Sequence, residues 1–136
     1  MKGPLGILGP GVLGLSTAQW AAEQGLDVRI LGRDLDHAQQ GRAEVLRRWD
    51  RACAKGRMEP NVRDQAQRRL TAHAFERGSV EPLATLLEAV PEMADLKAGV
   101  LARAAAWGAN DLLLLTGTSA LPVSRLAQAA GVSGRL

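Results

Sequence analysis

Apolar residues are spaced along this chain in short runs separated by glycine-rich or charged stretches, and each run has a readable period. Leu5 to Leu8 predicts a short strand buried on both faces, and the glycines after it lead into Leu13 to Gln24, which has helical composition and stops at Gly25. Asp27 to Leu31 alternates toward a second strand, with Val28, Ile30 and Leu31 as its apolar members, until Gly32, Arg33 and Asp34 break the run. Strand, turn, helix and strand close within about 30 residues, the size of one βαβ unit.

From Leu35 to Leu70 the chain is charged and helical in composition, and interruptions at Gly56 and Pro60 predict a hairpin of two helices whose arginines mark solvated faces. A third strand is expected at Leu70 to His73, and a fourth at Leu83 to Ala89 after a short helix or loop. A helix from about Met93 to Trp107 then leads to a fifth strand, Asp111 to Thr116. Ser124 to Ala130 reads as a last helix stopped by Gly131, with a tail to Leu136. No internal repeat is visible. The alternation predicts an α/β class, doubly wound around a mostly parallel sheet, with a helical hairpin after the second strand.

Composition narrows this only in places. At 136 residues and 46% hydrophobic content, one domain over 1–136 is expected, the hairpin occupying about 35–70. A formal charge of +3 is too small to argue for nucleic acid. The one cysteine, Cys53, rules out an intramolecular disulfide and a cysteine-based zinc set, and suits a reducing, cytoplasmic setting. The apolar stretch Pro4 to Leu15 resembles a signal-peptide core, but its glycines at 6, 9, 11 and 14 suit a strand running into a tight turn. No other apolar run approaches the roughly 20 residues of a membrane span. No metal ligand set is expected.

The turn itself carries chemistry. Gly9, Gly11 and Gly14 form GxGxxG between a predicted strand and a predicted helix. In a Rossmann-type fold the first glycine permits the turn, the second lets backbone approach a pyrophosphate, and the third lets helix and strand pack closely. Free N–H groups at the helix start then meet the phosphate. Gly9, Pro10, Gly11, Val12, Leu13 and Gly14 are therefore candidate cofactor-binding residues. An acidic residue that would bind the adenosine ribose of NAD is expected at the end of the second strand, where Gly32 stands, followed by Arg33. Space at Gly32 and a guanidinium at Arg33 suit the 2′-phosphate of NADP. The alternative is that Asp34 takes the carboxylate role and the cofactor is NAD.

Three stretches in this order resemble one family: the glycine turn, Glu88-Ala89-Val90-Pro91-Glu92 with Leu96-Lys97, and Thr116-Gly117-Thr118-Ser119-Ala120-Leu121. Together they are similar to the N-terminal domain of 3-hydroxyacyl-CoA dehydrogenases, over essentially the whole chain. The resemblance implies that Ala89, Glu92 and Lys97 lie along the cofactor, toward its nicotinamide half, and that Ser119 sits beside substrate and cofactor as the catalytic candidate. It also implies that the hairpin contacts CoA, with Lys55, in Lys55-Gly56-Arg57, and Arg48 as candidates; solvated charge explains these equally well.

Two positions depart from the family pattern, Gly117 for an asparagine and Ala120 for a serine. The family continues into an H-x-x-x-N-P segment whose histidine is the base, and the expectation is that this catalytic and dimerisation domain is absent. His37 and His73 match no family role, and Trp49 is expected in the hairpin core. The implied partner is an acyl-CoA thioester, with no nucleic acid or membrane, and a homodimer or a missing C-terminal domain completing the protein. The competing readings are a free-standing dinucleotide-binding module without chemistry, and a relative acting on a small 3-hydroxy acid.

Overall fold

A computed structural model describes residues 3–117. Five strands form one sheet in the order β3-β2-β1-β4-β5: β1 Leu5–Leu8, β2 Val28–Gly32, β3 Leu70–Ala74, β4 Thr85–Glu88 and β5 Leu113–Thr116. All four pairings are parallel, with Ile7 opposite both Ile30 and Leu87, and Leu8 opposite both Leu31 and Glu88. Parallel neighbours need a crossover, and here helices supply it: α1 Val12–Glu23, α2 Leu35–Ala54, α3 Pro60–Arg69, α4 Arg77–Val80 and α5 Ala94–Trp107. Strand residues alternate between two cores. Leu5, Ile7, Val28, Ile30 and Leu70 pack with α1, α2 and α3, while Leu8, Leu31, Leu86 and Leu114 pack with α4 and α5.

Local chemistry explains the elements. The small residues Ala18, Ala21 and Ala22 are fully buried and seat α1 close on the sheet. Asp34 caps α2, its Oδ1 accepting from the His37 N–H at 2.7 Å. The stretch read as a short helix or loop is α4, closed by a capping box in which Ser79 Oγ accepts from the Glu76 N–H.

Four strands change their bounds. β2 shifts by one residue to Val28–Gly32, β3 runs on to Ala74, β4 is trimmed to Thr85–Glu88, and β5 starts at Leu113 because Leu112 closes a turn on Ala109. The expected helix at Ser124 to Ala130 lies outside the described residues.

The arginines of the hairpin were expected on solvated faces, and two of them serve otherwise. Arg42 donates to the carbonyls of Leu70, at 2.7 Å, and Gln67, at 3.2 Å, so it satisfies the end of α3. Arg69 donates to Ala22 O at 3.1 Å and does the same for α1. Trp49 is fully buried against α1, and its indole N–H donates to Glu23 Oε1 at 2.7 Å. That residue joins α2 to α1. Trp49→Ala should cost about 3–5 kcal/mol, with Trp49→Phe intermediate because it keeps the ring and loses the N–H. Urea denaturation showing both variants as stable as the wild type would reject this account of the α1–α2 contact.

Candidate functional site

β1 lies at the middle of the sheet, and the chain leaves it toward β2 on one side while β4 and β5 lie on the other. In open parallel sheets the crevice at such a change of direction is where ligands bind. A cavity of about 750 Å³ lies there, between the turn after β1 and the segment after β4.

The turn is built by exclusion. Gly9 has φ +101°, and a Cβ on it would lie 2.7 Å from Ala89 O, so only glycine brings the two strand ends together. A Cβ on Gly14 would lie 2.1 Å from Gly9 O, so α1 sits directly against the turn. Gly11 differs: nothing lies within 4 Å of a Cβ built there, and it is the N-cap of α1 with no side-chain cap. Its open face is on the cavity side, where the first amides of α1 and its dipole favour an anion.

Most of the residues singled out in the sequence come together here. Gly9, Pro10, Gly11, Leu13, Arg33, Ala89, Glu92 and Lys97 all line the cavity. Val12 does not, its side chain being turned to solvent and 84% exposed. Gly14 and Gly32 act from beneath as close-packed backbone. A Cβ at Gly32 would meet Ala38 N at 2.7 Å and Asp34 O at 2.9 Å, so no carboxylate can stand at that position. Asp34, the alternative ribose ligand, has one oxygen committed to capping α2. Ser119 lies outside the described residues.

Lys97 lines the cavity from a buried position. It is 1% exposed, and its Nζ donates to Glu88 Oε2 at 2.6 Å and to Val90 O at 2.9 Å, with Glu92 Oε1 at 3.1 Å. Three donors thus meet three oxygens. Glu88 is fully buried at the end of β4, where its Oε2 also accepts from the Val90 N–H at 2.8 Å and its Oε1 from Thr116 Oγ1 at 2.6 Å. One ion pair therefore ties β4, β5, α5 and the wall of the cavity. Sequence reading passed over Glu88 as a site residue. Its signal was a carboxylate closing an apolar strand nine residues before Lys97, a charge that needs a buried partner.

Phe75 was also missed. It follows β3, lines the cavity, and is held by Trp107 at 5.0 Å between ring centroids and by Arg103 at 5.5 Å over its face. His37, given no role from sequence, lines the cavity beside Arg33.

The CoA candidates lie elsewhere. Arg48 is 3.5 Å from Glu44 and donates to Gln19 Oε1 at 3.3 Å. Glu44 itself is held below the usual carboxylate range by its hydrogen bonds to Arg47 and, less, to Arg51. Lys55 caps the far end of α2, and at ~1.5 Å rise per residue this helix carries it roughly 30 Å from Asp34, the neighbour of cavity-lining Arg33. The structure does not bring Arg48 or Lys55 to the cavity.

A parallel sheet in this order with a glycine-rich turn at its switch point defines a Rossmann-type dinucleotide-binding domain. The chain belongs to a particular family of these: the model for the 3-hydroxyacyl-CoA dehydrogenase NAD-binding domain matches residues 4–136. No curated protein matches its sequence. Among solved structures it is similar to (S)-3-hydroxybutyryl-CoA dehydrogenase PaaH1 from Ralstonia eutropha, at 24% identity and TM-score 0.91 over 99% of this chain and 47% of that one. FadB2 from M. tuberculosis matches at 24% identity and TM-score 0.89, over 97% of this chain and 46% of that one. For 3-hydroxybutyryl-CoA dehydrogenase from Escherichia coli the values are 18% and 0.91, over 99% and 28%. The chain thus spans less than half the length of each of these relatives. No helix among the described residues is long and apolar enough to cross a membrane.

The buried ion pair yields a stability test. Lys97→Met should cost about 3–5 kcal/mol, because it strands a buried carboxylate. Adding Glu88→Gln to it should recover part of that loss, since the amide removes the charge and keeps hydrogen bonds. Denaturation midpoints that fall further in the double variant would contradict the pairing.

Proposed function

We propose that this chain is the cofactor-binding half of a 3-hydroxyacyl-CoA dehydrogenase-like oxidoreductase, and that it works joined to a C-terminal catalytic and dimerisation domain. The observation that carries the reading is the Gly9–Gly14 turn, whose one unhindered Cα, at Gly11, faces the cavity at the switch in strand order. The cavity fits a dinucleotide: the open glycine and α1 amides take the pyrophosphate, Arg33 lies at one end and Glu92 at the other. A bound nicotinamide dinucleotide supplies or accepts the hydride. The residues of this chain bind and orient it, and the family resemblance makes Ser119 the candidate to hydrogen-bond the oxygen of a 3-hydroxyacyl or 3-ketoacyl thioester. NADP is the preferred form, because position 32 has no room for the carboxylate that NAD calls for and Arg33 stands beside it. The thioester substrate places the protein in fatty acid metabolism, and the lone cysteine accords with a cytoplasmic setting. Lys55 and Arg48 remain candidates for the CoA phosphates.

Gly11→Val should leave folding unchanged, since its Cβ meets nothing, and should lower affinity for NADP+ and NAD+ by more than tenfold by filling the pyrophosphate approach. Calorimetry giving equal affinities for variant and wild type would sink the cofactor reading.

Oxidation of a secondary alcohol also needs a base, and a positioned one contributes about 10²–10⁴-fold. His37 stands at the Arg33 end of the cavity, away from Glu92, and a hydroxyl such as Ser119 is a poor base near neutral pH. The 136-residue chain alone should therefore turn over acetoacetyl-CoA at background. Activity should appear when a histidine-bearing C-terminal domain is supplied. Robust turnover by the chain alone, lost on Ser119→Ala, would show that the site is complete without it.

A further inference from the structure

We propose that His37 completes, with Arg33, a site for the 2′-phosphate of NADP(H); this rests on the cofactor reading above and adds to it a residue that selects between the two dinucleotides. Both side chains line the end of the cavity beyond β2. His37 is the third residue after the N-cap of the 20-residue α2, and side chains in a first turn lean back toward the helix start. His37 Nδ1 is buried and has no hydrogen-bond partner, the one such side-chain atom among the described residues. Buried polar atoms almost always have partners, and because the same ring lines the cavity, a turn of the imidazole about χ2 brings this closed-off nitrogen to a ligand's polar atom there.

The surroundings say which kind of atom. Arg33 is exposed, and its nearest acidic neighbour, Asp34 Oδ2, is 3.9 Å away, outside hydrogen-bond range. Its guanidinium therefore retains donors for a ligand. The backbone amides at the start of α2 add positive potential from the same side. Asp34 and Asp36 are the opposing charges. Asp34 Oδ1 is held by the His37 amide at 2.7 Å, and Asp36 Oδ2 accepts from Gln40 at 2.8 Å, so each has one oxygen turned to its own helix. No carboxylate can stand at Gly32 to take the ribose hydroxyls. A guanidinium and an imidazole around a space without that carboxylate suit a phosphomonoester on the ribose.

A ribose phosphomonoester also occurs on CoA, at the 3′ position, and the test separates the two. The 136-residue chain is titrated with adenosine 2′,5′-bisphosphate, adenosine 3′,5′-bisphosphate and 5′-AMP, and with NADP+ and NAD+, for the wild type, Arg33→Ala, His37→Leu and His37→Gln. The wild type should prefer the 2′,5′-bisphosphate over 5′-AMP by at least about tenfold. His37→Leu should remove roughly tenfold of that preference, the loss that one hydrogen bond to a charged group carries, while 5′-AMP affinity holds. Arg33→Ala should act in the same sense, and His37→Gln should retain part of the preference. In ¹⁵N spectra the His37 imidazole should shift with the 2′,5′-bisphosphate and stay with 5′-AMP. His73, hydrogen-bonded to Thr71 on β3, serves as the internal control. An unchanged preference in a folded His37→Leu variant, or equal binding of the 3′,5′ isomer, would overturn the proposal with the cofactor reading intact. If neither dinucleotide binds the wild type, both fall together.

Discussion

The contact between the turn after β1 and the first turn of α1 is the constraint on which the rest of the site depends. At Gly14 the helix backbone lies so close to Gly9 O that a methyl group would stand 2.1 Å from it. That approach fixes the position and direction of α1, and so determines where its unsatisfied amides point. It also leaves Gly9 at a positive φ, bringing its backbone against Ala89 and the end of β4. The cavity is therefore a product of backbone geometry at two glycines, with side chains decorating its two ends.

A second tie works at the other end of the crevice and by the opposite means, using charge where the first uses the absence of side chains. Burying Glu88 and Lys97 costs desolvation that their attraction does not reliably repay, so the pair is poor evidence for stability. Its geometry suggests what it provides. Glu88 takes hydrogen bonds from Val90 and Thr116 as well as Lys97, so the ends of β4 and β5 and the first turn of α5 share one set of oxygens. Hydrophobic packing would tolerate small displacements among these segments. A saturated carboxylate and ammonium do not, because any shift leaves a buried charge short of a partner.

Periodicity carried most of the fold. The five strands, their order of appearance and the hairpin were legible because buried parallel strands are short apolar runs and their helices are long and polar on one side. What escaped were interactions between elements distant in the chain. Arg42 and Arg69 read as surface charges until Leu70 O, Gln67 O and Ala22 O appear beside them. For Lys97 the family resemblance implies a place along the cofactor, and it does line the cavity, but residue order says nothing of Glu88, Val90 and Glu92 as the acceptors around its ammonium. Phe75 and His37 belong to the cavity only because β2, β3 and α2 converge there, which the parallel register shows and residue spacing does not.

The length of α2 has its own consequence. Twenty residues of helix extend roughly 30 Å, whereas the five residues of β3 extend only about 16 Å, so the tip of the hairpin stands beyond the edge of the sheet. Ala66 is the one buried residue of α3, and outside it the tip has little apolar surface to lose. Amide hydrogens there should exchange through local opening, at a free energy well below that of global unfolding, while those of β1 and β2 should wait for the whole sheet to come apart. The architecture thus sets a closely packed crevice at one end of the strands against, at the other, a charged projection whose fraying would leave the crevice undisturbed.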